Sequence, residues 1–136
     1  MGRIIAIDFG LKRTGIATTD PLQIIATGLT TVPTEKLMDF LKTYCTQEEV
    51  EKFVVGDPYN LDGSPTHATE PANKFVHQLK KAFPHIAIDR ESEWFTSKMA
   101  KETLVKSGVK KKKRRNKALL DEISATIILQ SYLGHR

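Results

Sequence analysis

A chain of 136 residues with 40% apolar and 27% charged residues has one domain's length and can build a core, which excludes a disordered segment. Its 21 basic residues outnumber 16 acidic ones, giving a net charge of +5, yet seven of the basic residues lie in the run KKKKRRNK from Lys110 to Lys117, and the remainder balances at −2. The single Cys45 excludes an internal disulfide, no Cys/His spacing suits zinc, and no apolar stretch approaches the roughly 18 residues of a bilayer span. A single cytoplasmic domain, residues 1–136, is the expectation, and any affinity for nucleic acid must rest on one local cluster of charge.

Arg3 to Phe9 reads as a buried β-branched strand, and Thr14 to Thr19 as a second joined to it by the tight connection Gly10-Leu11-Lys12-Arg13. After the turn at Asp20-Pro21, Ile24 to Val32 reads as a third strand, and Pro33-Thr34 opens a helix with the apolar stripe Leu37, Phe40, Leu41 and Tyr44. The segment Lys52 to Gly56 is a further buried strand. The polar loop Asp57 to Pro71 that follows is too long to be a mere connector. A helix over Ala72 to Phe83, a strand at Ile86 to Asp89 and a helix over Thr96 to Ser107 come next. Beyond Gly108 and the basic run, Ala118 to Leu133 forms the last helix. Three adjacent strands followed by alternating helices and strands describe an α/β fold with a mixed sheet.

No Gly-x-Ser-x-Gly, phosphate-binding lysine loop or Cys/His couple is present, so the chemistry is sought among acids. Asp8 ends the strand IIAI, at the sheet edge where open α/β sheets commonly bind ligands. Asp121 heads a helix stripe of Ser124, Ala125, Ile128, Leu129 and Tyr132, and so points toward the body of the protein. The third candidate is Glu93, in the cluster Asp89-Arg90-Glu91-Ser92-Glu93. Singly, Asp8 also fits an Asx-turn before Gly10, Asp121 a complement to the helix dipole, and Glu93 an exposed residue near a helix start. Together they would repel one another unless a cation sat among them, and a hard divalent ion such as Mg²⁺ is the natural remedy. Two such ions about 4 Å apart can activate water and stabilise the leaving oxygen of a phosphodiester.

The segments GRIIAIDFGLKRTGIATTDPLQIIATGL, VVGDPYNLDGSP, EWFTSKMA and LLDEISATIILQSYL resemble, in order and spacing, those of the YqgF/RuvX family of RNase H-like nucleases. These small bacterial proteins are associated with Holliday junction resolution and with processing of the 5′ end of pre-16S rRNA. The resemblance implies an RNase H-like fold: a five-stranded mixed sheet, its first three strands antiparallel, with helices on both faces. It implies an endonuclease using one or two Mg²⁺ or Mn²⁺ ions, with Asp8, Glu93 and Asp121 at the family's three acidic positions. Where the family reads Asp-Glu-Arg-Leu-Thr-Ser/Thr, this chain has Ser92-Glu93-Trp94-Phe95-Thr96-Ser97. Glu91, two residues before Glu93, shares its strand parity and is an alternative ligand. Asp57 in VVGDP is read as a turn residue rather than a fourth acid.

Lys12 and Arg13 lie just after Asp8, within reach of a phosphate held there. Lys110, Lys111, Lys112, Lys113, Arg114, Arg115 and Lys117 precede the helix of Asp121 and would draw in a polyanion in a salt-dependent way, without reading base sequence. Pre-rRNA or branched DNA, and the ribosome, are the implied partners. No membrane is implied, and the chain is either a monomer or the homodimer that symmetric junction cleavage requires. Competing readings are a non-catalytic nucleic-acid-binding module, which the altered Ser92-Glu93-Trp94 permits, and an ATP-binding domain, for which the clamping second domain is missing. A protein kinase is excluded despite the letters DFG, since a glycine-rich loop, strand lysine and HRD segment are absent.

Overall fold

Alternation along the first strand divides the molecule. In β1, Arg3–Asp8, Ile5 and Ile7 face one side of the sheet while Ile4 and Ala6 face the other, and all four are buried. The computed structural model describes residues 2–59, 62–92 and 117–135. Strand β1 pairs antiparallel with β2, Arg13–Thr19, which pairs antiparallel with β3, Ala26–Pro33. On its other side β1 pairs in parallel with β4, Val50–Asp57, and β4 in parallel with β5, Ala87–Ser92. The sheet order is therefore β3-β2-β1-β4-β5, a five-stranded mixed sheet whose first three strands are antiparallel.

The Ile5 and Ile7 face packs on α1, Leu37–Gln47, entered through the 3-10 turn Thr34–Lys36, and on α2, Thr69–Ala82. Leu37, Leu41, Phe53, Phe75 and Leu79 fill that layer. On the opposite face α3, Lys117–His135, crosses all five strands and seals Ile4, Ala6, Ala17 and Val54 with Ala125, Ile128, Leu129 and Tyr132. The stripe read from sequence in this last helix is thus the one that is buried, and Ser124 joins it at 6% exposure. No described helix is long and apolar enough to cross a membrane.

Several boundaries differ from the sequence reading, and three of the differences have a clear physical cause. Strand β3 begins at Ala26, not Ile24, because the Asp20 carboxylate accepts the main-chain N–H groups of Leu22, Ile24 and Ile25 (2.7–3.2 Å) and turns that stretch into a capped loop. Those contacts also hold the Asp20 carboxyl below its ordinary pKa, the Ile25 N–H foremost. Helix α2 begins at Thr69 rather than Ala72, with Pro71 tolerated in its first turn. Strand β5 runs on to Ser92 despite its charged residues, since pairing with β4 continues through Asp57↔Ser92. The expected helix over Thr96 to Ser107 lies outside the described residues.

Candidate active site

Asp8 is the last residue of β1, and by alternation its side chain lies on the α3 face with those of Ile4 and Ala6. Its antiparallel partner is Gly15. A Cβ on Gly15 would fall 2.0 Å from the main-chain oxygen of Asp121, so only glycine admits the helix there. The absent side chain seats the Asp121 backbone on the residue directly opposite Asp8, and two of the three acids singled out in the sequence come to one end of the sheet. Asp121 is one turn into α3, which begins at Lys117 with no acid in its first turn. Its role is therefore not that of a dipole cap, an effect confined to the terminal turn.

A second glycine continues the row. Ile7 pairs with Val55, and one residue further along this register Asp8 stands beside Gly56, whose partner on β5 is Glu91. Asp8 and Glu91 thus flank a residue without a side chain, about 9–10 Å apart main chain to main chain. Glu93 lies outside the described residues, as do Lys110, Lys111, Lys112, Lys113, Arg114 and Arg115. Lys117 is the first residue of α3. Among the described residues no three Asp, Glu, His or Cys side chains group closely enough to hold a metal ion. Asp8 and Asp121 nonetheless offer the hard oxygen donors that Mg²⁺ and Mn²⁺ favour. Mg²⁺ is commonly held by one or two carboxylates, with waters and substrate phosphates completing its shell.

The basic residues divide. Lys12 is exposed in the hairpin turn. Arg13 opens β2 on the α3 face, and its Nε donates to Oδ2 of Asp121 at 3.0 Å, a contact between residues 108 positions apart that was not foreseen. The turn from Gly10 to Arg13 is braced by close contacts and hydrogen bonds. A Cβ on Gly10 would lie 2.2 Å from the Arg13 carbonyl oxygen, Thr34 N donates to Lys12 O (3.0 Å), and Thr34 Oγ1 donates to Gly10 O (2.6 Å).

Asp57 lies on the other face. Its Oδ1 accepts from Arg90 (3.2 Å), which also donates to the carbonyls of Val55 and Gly56 and to Asn73 Oδ1 of α2. Asp57, read from the sequence as a turn residue, is instead the last residue of β4, held in place by Arg90. Further from the site, Tyr132 of α3 donates to Asp89 and accepts from Lys52 Nζ (2.7 Å), which pairs with Asp89 at 3.2 Å. The Tyr132 hydroxyl, and then Lys52, hold the Asp89 carboxyl below its usual range. A glycine inside the strand run RTGIATT signals a close approach at Gly15, whereas nothing local announces the partners of Arg13 and Arg90.

Known proteins are similar to this chain along nearly all of its length. The family model described as "RuvX: Holliday junction resolvase" matches residues 2–135. A protein of Flavobacterium psychrophilum named "Putative pre-16S rRNA nuclease" is 56% identical over 136 residues, covering 100% of this chain and 99% of its own. One of Porphyromonas gingivalis with the same name is 53% identical, with 99% and 98% covered. Among solved structures, Thermus thermophilus RuvC in complex with a Holliday junction substrate superposes with a TM-score of 0.59 at 16% identity, covering 98% of this chain and 97% of that one. At that identity the likeness establishes the RNase H-like fold. With the family matched along nearly the entire chain, the protein belongs to the RuvX family and is a nuclease, a hydrolase of phosphodiester bonds.

Proposed function

We propose that this protein is a cytoplasmic, divalent-metal-dependent endonuclease that processes the 5′ end of pre-16S rRNA. The observation that carries the reading is the seat of Asp121 on Gly15, directly opposite Asp8. It puts two acids from opposite ends of the chain at the carboxyl end of one strand, and a bland surface role asks for no such pairing. Asp8, Asp121 and Glu93 would hold one or two Mg²⁺ or Mn²⁺ ions, with Glu91 the alternative middle acid. When bound, such an ion polarises a water and the phosphoryl oxygens of the scissile bond. The braced Gly10 turn fixes Asp8 relative to β2. Lys12 meets the backbone of the substrate beside that edge, and the run Lys110 to Lys117 supplies sequence-independent attraction for phosphates.

Relatives named for pre-16S rRNA favour the RNA substrate, and the description of the family favours a second reading, cleavage of four-way DNA junctions by a two-fold dimer. One assay tests both: purified protein with Mg²⁺ or Mn²⁺, a labelled pre-rRNA leader and a four-way junction, with wild type and Asp8→Asn. Specific cleavage of the leader, reduced at least about 100-fold in Asp8→Asn, is expected. Cleavage that persists in the variant refutes the acid site. Cleavage of the junction alone selects the second reading, and salt-sensitive binding without cleavage of either substrate means a binding module.

A further inference from the structure

We propose that Arg13 is a shared cation of the site, neutralising the Asp121 carboxylate in the free protein and passing to a substrate phosphate when a metal ion takes that carboxylate. The inference rests on the reading of Asp121 as a metal ligand and adds a regulated exchange to it. Arg13 and Asp121 make a contact through Nε at 3.0 Å, with side chains 40% and 26% exposed. A pair so open to water is weak and can be exchanged at little cost.

Arg90 shows what a committed arginine looks like here: four acceptors, on β4 and α2, fix its guanidinium. Arg13 is engaged through one nitrogen, and the flat fork of its other N–H groups suits two phosphate oxygens. Its main chain is held by Gly10, Thr34 and the pairing of β2, so only the side chain needs to move. A divalent ion on Asp121 repels the guanidinium, and a phosphate arriving at the same edge attracts it. Metal and Arg13 therefore compete for one carboxylate, while Arg13 and substrate cooperate once the metal is in place.

Competition predicts a gain of function that a merely structural role would not produce. In Mn²⁺ titrations of the full chain without nucleic acid, Arg13→Gln should bind Mn²⁺ about two- to five-fold more tightly than wild type, the range corresponding to loss of an exposed ion pair. The same variant should bind a short oligoribonucleotide less tightly in the presence of Ca²⁺. Arg13→Lys keeps the charge and should stay near wild type for Mn²⁺, and it serves as the folded control should the Gln variant be unstable. Equal or weaker Mn²⁺ binding by Arg13→Gln, or Arg13→Lys tightening Mn²⁺ binding as strongly as Arg13→Gln, overturns the proposal. Asp121→Asn separates the two levels. Loss of Mn²⁺ binding there with no gain in Arg13→Gln removes only the exchange, whereas Mn²⁺ binding undiminished by Asp121→Asn removes the metal-site reading and the exchange with it.

Discussion

The two faces of the sheet are built from different materials. Beneath α1 and α2 the layer is bulky and aromatic: Phe53 meets Phe83 edge to face at 5.2 Å, and Phe9, which has just left β1, stacks on Phe75 at 5.2 Å. Under α3 the layer is aliphatic and mixed in size, with Ala6, Ala17 and Ala125 among Ile4, Val54, Ile128 and Leu129, and with Gly15 and Gly28 where the helix approaches most closely. One face gains stability from buried area. The other gives up side-chain volume so that a helix can bring a carboxylate down onto a strand end. The proposed site lies on the face where glycines admit the helix, and substitutions on the two faces should fail in different ways.

Phe53→Ala on the bulky face should cost the most stability, about 3–5 kcal/mol from lost burial and a residual cavity. Cleavage per folded molecule should stay near wild type, and chemical denaturation run beside an activity assay would show whether the faces separate. On the α3 face, Gly15→Ala drives a methyl group into the Asp121 carbonyl. About 1–3 kcal/mol of stability should go, and because displacing a reacting group by about 1 Å can cost 100-fold in rate, activity should collapse beyond that. Full activity in that variant would refute the glycine seat.

Tyr132→Phe loosens the far end of α3 by removing the hydroxyl shared with Lys52 and Asp89, for about 1 kcal/mol. Activity should fall little, since α3 is then released at the end remote from Asp121. The smallest effect is a pH dependence. The folded Asp89 carboxyl titrates below its ordinary value, so its contribution is complete above about pH 4 and disappears as the pH falls through the folded pKa. With that side chain 46% exposed, a few tenths of a kcal/mol are at stake. Melting curves over acid pH should decline less steeply in Tyr132→Phe than in wild type.

Strands β1, β2 and β4 were legible because their β-branched runs are buried on both faces, and α3 because its stripe has a helical period. The end of β5 was not. Arg90, Glu91 and Ser92 carry no strand preference, and their place in the sheet is decided by pairing with β4. Ile24 and Ile25 misled in the opposite sense, β-branched yet 68% and 62% exposed, because Asp20 claims their amides. At the site, the acids Asp8 and Asp121 could be picked out by position within their elements. The Arg13 contact could not, since it depends on how a helix lies over a strand more than a hundred residues away.

That separation also orders events in time. Arg13 and its carboxylate partner are 108 residues apart, and contacts between such distant segments close late because the intervening loop entropy must be overcome first. While the protein is being made, β1 and β2 can pair early, but Asp8 faces a bare glycine until α3 has been synthesised and docked. On the proposed reading, Asp8 and Asp121 meet only after α3 has docked on Gly15. The two acids singled out in the sequence are therefore brought together by the last element to be made, not by the strands that pair first.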